Sequence, residues 1–154
     1  MYIKFMVPLD GSALAECVLP HVEAIAGGCP VRELVLLRVV EPERVYSVSD
    51  SPIDPNLAAA RESERKKEAE DYLSRVVDRL DEPGLTCEIK AIVGRVAESL
   101  VDYCVDNDVD LIIIATHGHS GVTRWVRGSV ADKILGSSKI PVLMIRAPEA
   151  EKEV

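Results

Sequence analysis

Short apolar runs, rich in β-branched residues, recur along this chain with helical segments between them. YIKFMVPLD (2–10), VRELVLLRVV (31–40), DLIIIA (110–115) and PVLMIR (141–146) each read as a strand, and LTCEIKAIV (85–93) alternates in its first half like a strand near a sheet edge. Leu34 to Leu37 are apolar on both faces, as in a strand with helices above and below it. Strand and helix alternating in this way predict an α/β domain with a mainly parallel sheet and right-handed crossovers. Five strands and four helices fit the 154 residues, which form one domain on length alone.

The helical segments carry their own punctuation. Ser12 is an N-cap for a helix with Leu14, Val18, Val22 and Ile25 at helical spacing. Pro20 is expected to bend it, and Gly27-Gly28 to end it. Residues 41–56 hold three prolines without periodicity and read as a long surface loop. The next helix starts near Leu57. Its first half is a solvated charge run, RESERKKEAED, and its second half buries Ala69, Tyr72, Leu73, Val76, Val77 and Leu80. Pro83-Gly84 is a turn. Gly94 opens a helix with Ala97, Leu100, Val101, Cys104 and Val105 on one face, and a last helix lies around 129–137.

Composition narrows the function. Eighteen basic against 26 acidic residues give a net charge of -8, which argues against nucleic-acid binding. No apolar run is long enough to span a bilayer, and MYIKFMVPLDGS lacks the layout of a signal peptide. The four cysteines show no CxxC and no metal-like pairing with histidine, and read as reduced thiols. The expected compartment is the cytoplasm.

One connection is unusual. Between LIIIA and VADKIL lies ATHGHSGVTRWVRGS (115–129), with three glycines, two histidines, two arginines and the only tryptophan. It is not a Walker loop, because no lysine follows Gly128. It is not a nucleophile elbow either, because Val122 stands where the last glycine of G-x-S-x-G belongs. A glycine-rich phosphate site fits better. Small residues at 115, 118, 121 and 128 let backbone amides approach an anion, and Ser129 starts a helix whose free N–H groups favour phosphate. An ordinary glycine-relieved turn with a serine cap fits the spacing equally. LDGS after the first strand and ATHG after the fourth both sit at strand carboxyl ends, where open parallel sheets bind ligands.

Together these residues resemble the universal stress protein family. Its nucleotide-binding members look like G-x2-G-x9-G-[ST], and this chain has Ala115-x2-Gly118-x9-Gly128-Ser129. VPLDGS, Val39 late in the second strand, IVG before the third helix and PVLMIR also match in order, over residues 1–146. The resemblance implies a Rossmann-like, adenine-nucleotide alpha-hydrolase-like fold, an open sheet of order 3-2-1-4-5 with helices on both faces. It implies a single domain over 1–147 with a frayed acidic tail, 148–154. It puts adenine and ribose near Pro8, Asp10 and the backbone of Val39, phosphates against Gly118, Gly128, Ser129 and Val130, and Ala115 where the ligand passes close. Two positions depart from the pattern: Ala115 replaces a glycine, and Ala131 a hydroxyl residue of some ATP-binding members.

The implied function is that of a cytoplasmic ATP-binding stress-response regulator, with or without Mg2+, and a homodimer through the last strand, 141–146. Two alternatives stay open: a protein-interaction module without nucleotide, favoured by Ala115, and a cAMP-binding variant. No residue is placed as a general base beside an activated water, so at most slow ATP hydrolysis is expected. No catalytic or metal-binding residue is assigned.

Overall fold

Alternate residues of each central strand face opposite sides of the sheet, and both sides are buried. A computed structural model describes residues 2–42, 54–116 and 130–148. The elements run β1 (Lys4–Pro8), α1 (Ala13–Glu16), α2 (Leu19–Gly28), β2 (Glu33–Val40), α3 (Pro55–Val77), β3 (Thr86–Val93), α4 (Val96–Asp106), β4 (Leu111–Thr116), α5 (Val130–Ser137) and β5 (Val142–Arg146). The sheet order is β3-β2-β1-β4-β5, and every pairing is parallel. This is the expected α/β architecture, with the order reversing between β1 and β4.

Phe5, Val7, Leu34, Leu36 and Ile113 point to one side, where α1, α2 and α3 cover them through Ala15, Val22, Leu73 and Val76. Met6, Val35, Leu37, Ile112 and Ile114 point to the other, under Leu100 and Cys104 of α4 and Ala131 and Ile134 of α5. Aliphatic chains thus fill the interior, as the scarcity of aromatics requires.

Three helix expectations are corrected. The first helix is two segments: α1 stops at Glu16, and Pro20 sits in the first turn of α2 rather than inside a continuous helix. Proline is tolerated there because the first-turn N–H groups have no intrahelical partner. For the same reason Pro55 opens α3, with Asp54 as N-cap accepting from the Asn56 N–H at 2.9 Å, so Pro55 and Asn56 belong to the helix and not to the loop. Val105, expected on the buried face of α4, is 62% exposed. Of the 41–56 loop, residues 43–53 lie outside the described residues, as do residues 149–154 of the tail.

The two edges of the sheet differ. On β3, Lys90 and Glu88 form an ion pair at 3.0 Å, and both are exposed. On β5, Val142, Leu143, Met144 and Ile145 are half-buried apolar residues with no strand beyond them among the described residues.

The seam joining the two halves of the sheet is short. β1 and β4 register only as Phe5 with Leu111 and Met6 with Ile112. Below these pairs Asp110 acts as a clamp. Its Oδ2 accepts from the Ile3 and Lys4 N–H groups at 2.7 and 2.8 Å, and its own N–H donates to the Lys4 carbonyl at 2.9 Å. Above Met6 and Ile112 the strands part, while β4 stays paired with β5 as far as Thr116. Asp110→Ala removes the charged acceptor of two N–H groups and is expected to lower unfolding free energy by about 1–3 kcal/mol in urea. Asp110→Asn, which keeps a neutral acceptor, is expected to lose less.

Candidate functional site

β1 and β4 register no further than Met6 with Ile112, so the first-strand connection stands at the carboxyl end of the strand reversal. β1 ends at Pro8, opposite Leu37 of β2. The Leu9 N–H donates to the Leu37 carbonyl at 2.9 Å, the last backbone bond between these strands among the described residues. In a parallel strand every second residue turns its backbone groups to the same side. Val39 therefore turns its N–H and C=O toward β1, one step past that bond, where no strand pairs with them.

Beyond Leu9 the chain turns sharply. Asp10 is exposed, and its Oδ1 accepts from the Ser12 N–H at 2.8 Å, an Asx turn. Its other oxygen takes no hydrogen bond among the described residues. Gly11 has φ +91°, a conformation natural only to glycine. Ser12 then caps α1, its Oγ accepting from the Ala15 N–H at 3.1 Å.

Of the expected contact residues, Pro8, Asp10 and the backbone of Val39 come together at the carboxyl ends of β1 and β2. Ala115 lies near the end of β4, opposite Ile145 and half-buried. Val130 begins α5 and packs on the α4–α5 side of the core. Gly118, Gly128 and Ser129 lie outside the described residues, with the rest of 117–129.

A group of side chains around the Gly11 turn escaped the sequence reading. The Arg38 guanidinium lies flat against the turn: a Cβ on Gly11 would stand 3.2 Å from Nη1 and 3.4 Å from both Cζ and Nη2. The same guanidinium lies 5.3 Å from the centre of the Tyr72 ring. The Tyr72 hydroxyl donates to Glu16 Oε1 at 2.9 Å, and Arg79 Nη2 meets Glu16 Oε2 at 2.7 Å. The signal that could have found it is Arg38 itself, a charge that follows the buried apolar run Leu34 to Leu37.

Burial raises the pKa of the Tyr72 phenol, and its hydrogen bond to the Glu16 carboxylate raises it further. Burial also raises the Cys17 and Cys87 thiols, and takes Cys104 up to about 12. All four cysteines are free. Among the described residues no three His, Cys, Asp or Glu side chains are grouped to hold a metal ion.

An open parallel sheet whose strand order reverses between β1 and β4, with helices on both faces, defines a doubly wound α/β domain. The sequence profile of the universal stress protein family matches residues 1–146, and the chain belongs to that family. It is similar to universal stress protein MJ0577 of Methanocaldococcus jannaschii, 26% identical over 156 residues that cover 95% of this chain and 96% of the relative. A solved structure of MJ0577 superposes with a TM-score of 0.79 at 27% identity, covering 97% of this chain and 99% of that one. Two more distant structures share the fold. A universal stress protein solved with cAMP has a TM-score of 0.62 at 21% identity, covering 94% of this chain and 97% of that chain. One from Archaeoglobus fulgidus, solved with dAMP, has 0.54 at 20%, covering 94% and 98%.

The raised Tyr72 pKa has a consequence for stability. Below the ordinary tyrosine range, near 10, the phenol is neutral in folded and unfolded chains alike. Above it the unfolded chain ionises first, so this contribution to stability is lost as pH rises. Denaturation midpoints are expected to fall as pH rises above about 10 in wild type, and less steeply in Tyr72→Phe.

Proposed function

We propose that this protein is an adenine-nucleotide-binding regulator of the cytoplasmic stress response, with ATP as its ligand, with or without Mg2+. The observation that carries this reading is the parting of β1 and β4 above a pinned seam. It leaves the Val39 backbone edge unpaired by β1, and one Asp10 oxygen without a hydrogen bond among the described residues, at the carboxyl end of the strand reversal. A backbone N–H and C=O side by side suit the hydrogen-bonding edge of adenine, and a carboxylate held by an Asx turn suits ribose hydroxyls. Pro8 walls the base. Gly118, Gly128, Ser129 and Val130 take the phosphates through backbone amides at the start of α5, with Ala115 beside them. Family membership supports the reading, and two proteins of the same fold solved with cAMP and dAMP show that the architecture accommodates adenine nucleotides. Residues 1–147 act as a single domain. Net charge and free cysteines favour the cytoplasm, and no helix among the described residues is long and apolar enough to cross a membrane.

Two other readings rest on particular residues. Ala115 puts a methyl where ATP-binding relatives have glycine, which favours an interaction module without nucleotide. A site shortened by that methyl would also suit a cyclic monophosphate. Titration of Mg-ATP, ADP and cAMP into ligand-stripped protein separates the three through Trp125. ATP is expected to change its emission saturably and ADP more weakly, and Gly128→Val to abolish the response with the fold retained. A flat ATP titration with no adenine released on denaturation refutes the reading, and a response to cAMP alone replaces the triphosphate. Ala115→Gly is expected to tighten ATP binding.

The protein is further proposed to dimerise through β5, an apolar edge that another copy can pair with antiparallel across a two-fold axis. Leu143→Lys is expected to give monomers in light scattering, and a monomeric wild type at micromolar concentration contradicts the proposal.

A further inference from the structure

We infer that Arg38 is the positioning residue of the nucleotide site: stacked flat against Gly11, it holds the turn that presents Asp10. The inference deepens the proposed function and rests on it for its ligand readout.

The three guanidinium atoms nearest Gly11 are almost equidistant from the place a Cβ would occupy. That is the signature of a plane lying on the turn rather than an edge pointing at it. A Cβ there would press the guanidinium outward by a few tenths of an ångström, and Gly11 has to be glycine already for its positive φ. The opposite constraint comes from α3, where the Tyr72 ring takes the same guanidinium. The ring is itself held by packing against the core, and its hydroxyl in addition donates to Glu16 at the end of α1, which Arg79 holds from its other oxygen. The guanidinium is thus fixed by packing on an anchored aromatic, with no ion pair to a carboxylate among the described residues. Asp10 is not its salt-bridge partner. The carboxylate is instead locked by the Ser12 N–H, so the backbone of residues 10–12 sets its direction and Arg38 supports that backbone from beneath.

A flat delocalised cation does this work and an ammonium does not, since lysine offers no plane to either neighbour. Charge alone should therefore fail to substitute for Arg38, whereas the Tyr72 hydroxyl should be dispensable provided its ring remains.

Two measurements on the full chain test the inference. In ligand-free protein, Arg38→Met keeps an apolar stem and is expected to speed exchange of the Ser12 amide several-fold relative to amides of α2, as read by magnetisation-transfer NMR. In binding, wild type is expected to prefer ATP over 2′,3′-dideoxy-ATP roughly tenfold or more, the size of one hydrogen bond to a charged group. Arg38→Met and Arg38→Lys should both bring that ratio toward one while retaining cooperative unfolding, Tyr72→Leu should do the same, and Tyr72→Phe should preserve it. Generic destabilisation would weaken both nucleotides equally and leave the ratio intact, which would overturn the inference. Wild-type Ser12 exchange in Arg38→Met would also overturn it. Should Arg38→Met fail to fold, Arg38→Lys and Tyr72→Leu carry the same two readouts. A wild type that binds neither nucleotide removes the proposed function, and Ser12 exchange then decides the role of Arg38 alone.

Discussion

The two halves of this sheet are held together by a seam that is pinned at one end and open at the other. Asp110 draws the backbone of Ile3 and Lys4 onto the start of β4, two residue pairs follow, and then the strands separate. The separation follows from the topology. The chain leaves β1 toward α1 on one side of the sheet and leaves β4 toward α5 on the other, so nothing draws the two carboxyl ends together. A sheet buried on both faces gains most of its stability from apolar area removed from water, and that burial lies in the pinned region and its flanks. Val7, Leu9, Ile113 and Ile114 stay buried beyond the last registered pair, and polar backbone and a carboxylate follow only past Leu9.

The polar turn at this open end is built by short-range rules, and its placement by long-range ones. Asp10, Gly11 and Ser12 make an Asx turn, a positive-φ step and a helix cap in three consecutive residues, each recognisable from residue type. What fixes the turn in space comes from β2 and α3. The Arg38–Tyr72–Glu16–Arg79 string spans two helices and a strand before it reaches Gly11, so the rigidity of the site depends on elements remote in sequence.

That division explains what was legible beforehand. The apolar runs announced the strands because period-two burial and two-sided burial both leave marks in residue type, and the strand reversal followed from family resemblance. Pro20 and Pro55 were misplaced because a proline ring is compatible with either a bend or a first turn, and only the location of the preceding cap separates the two. Val105 was misassigned because helical spacing gives a face but not where that face runs off the sheet. Arg38 was invisible as a partner of Gly11 because their meeting depends on the register of β1 against β2. The glycine-rich segment announced itself most loudly in sequence, while its residues 117–129 lie outside the part described.

The contrast between the two sheet edges bears on how far self-association can proceed. A strand edge acts as a growing chain end, able to add a further unit for as long as each addition exposes another reactive end. Here the ends are unequal: β5 offers an apolar edge, whereas β3 carries the exposed Glu88–Lys90 pair, and a strand docking there would have to accommodate both charges. In the proposed dimer, joining two β5 edges would consume both reactive ends and leave only the charged ones, so association of that kind would stop at its first step.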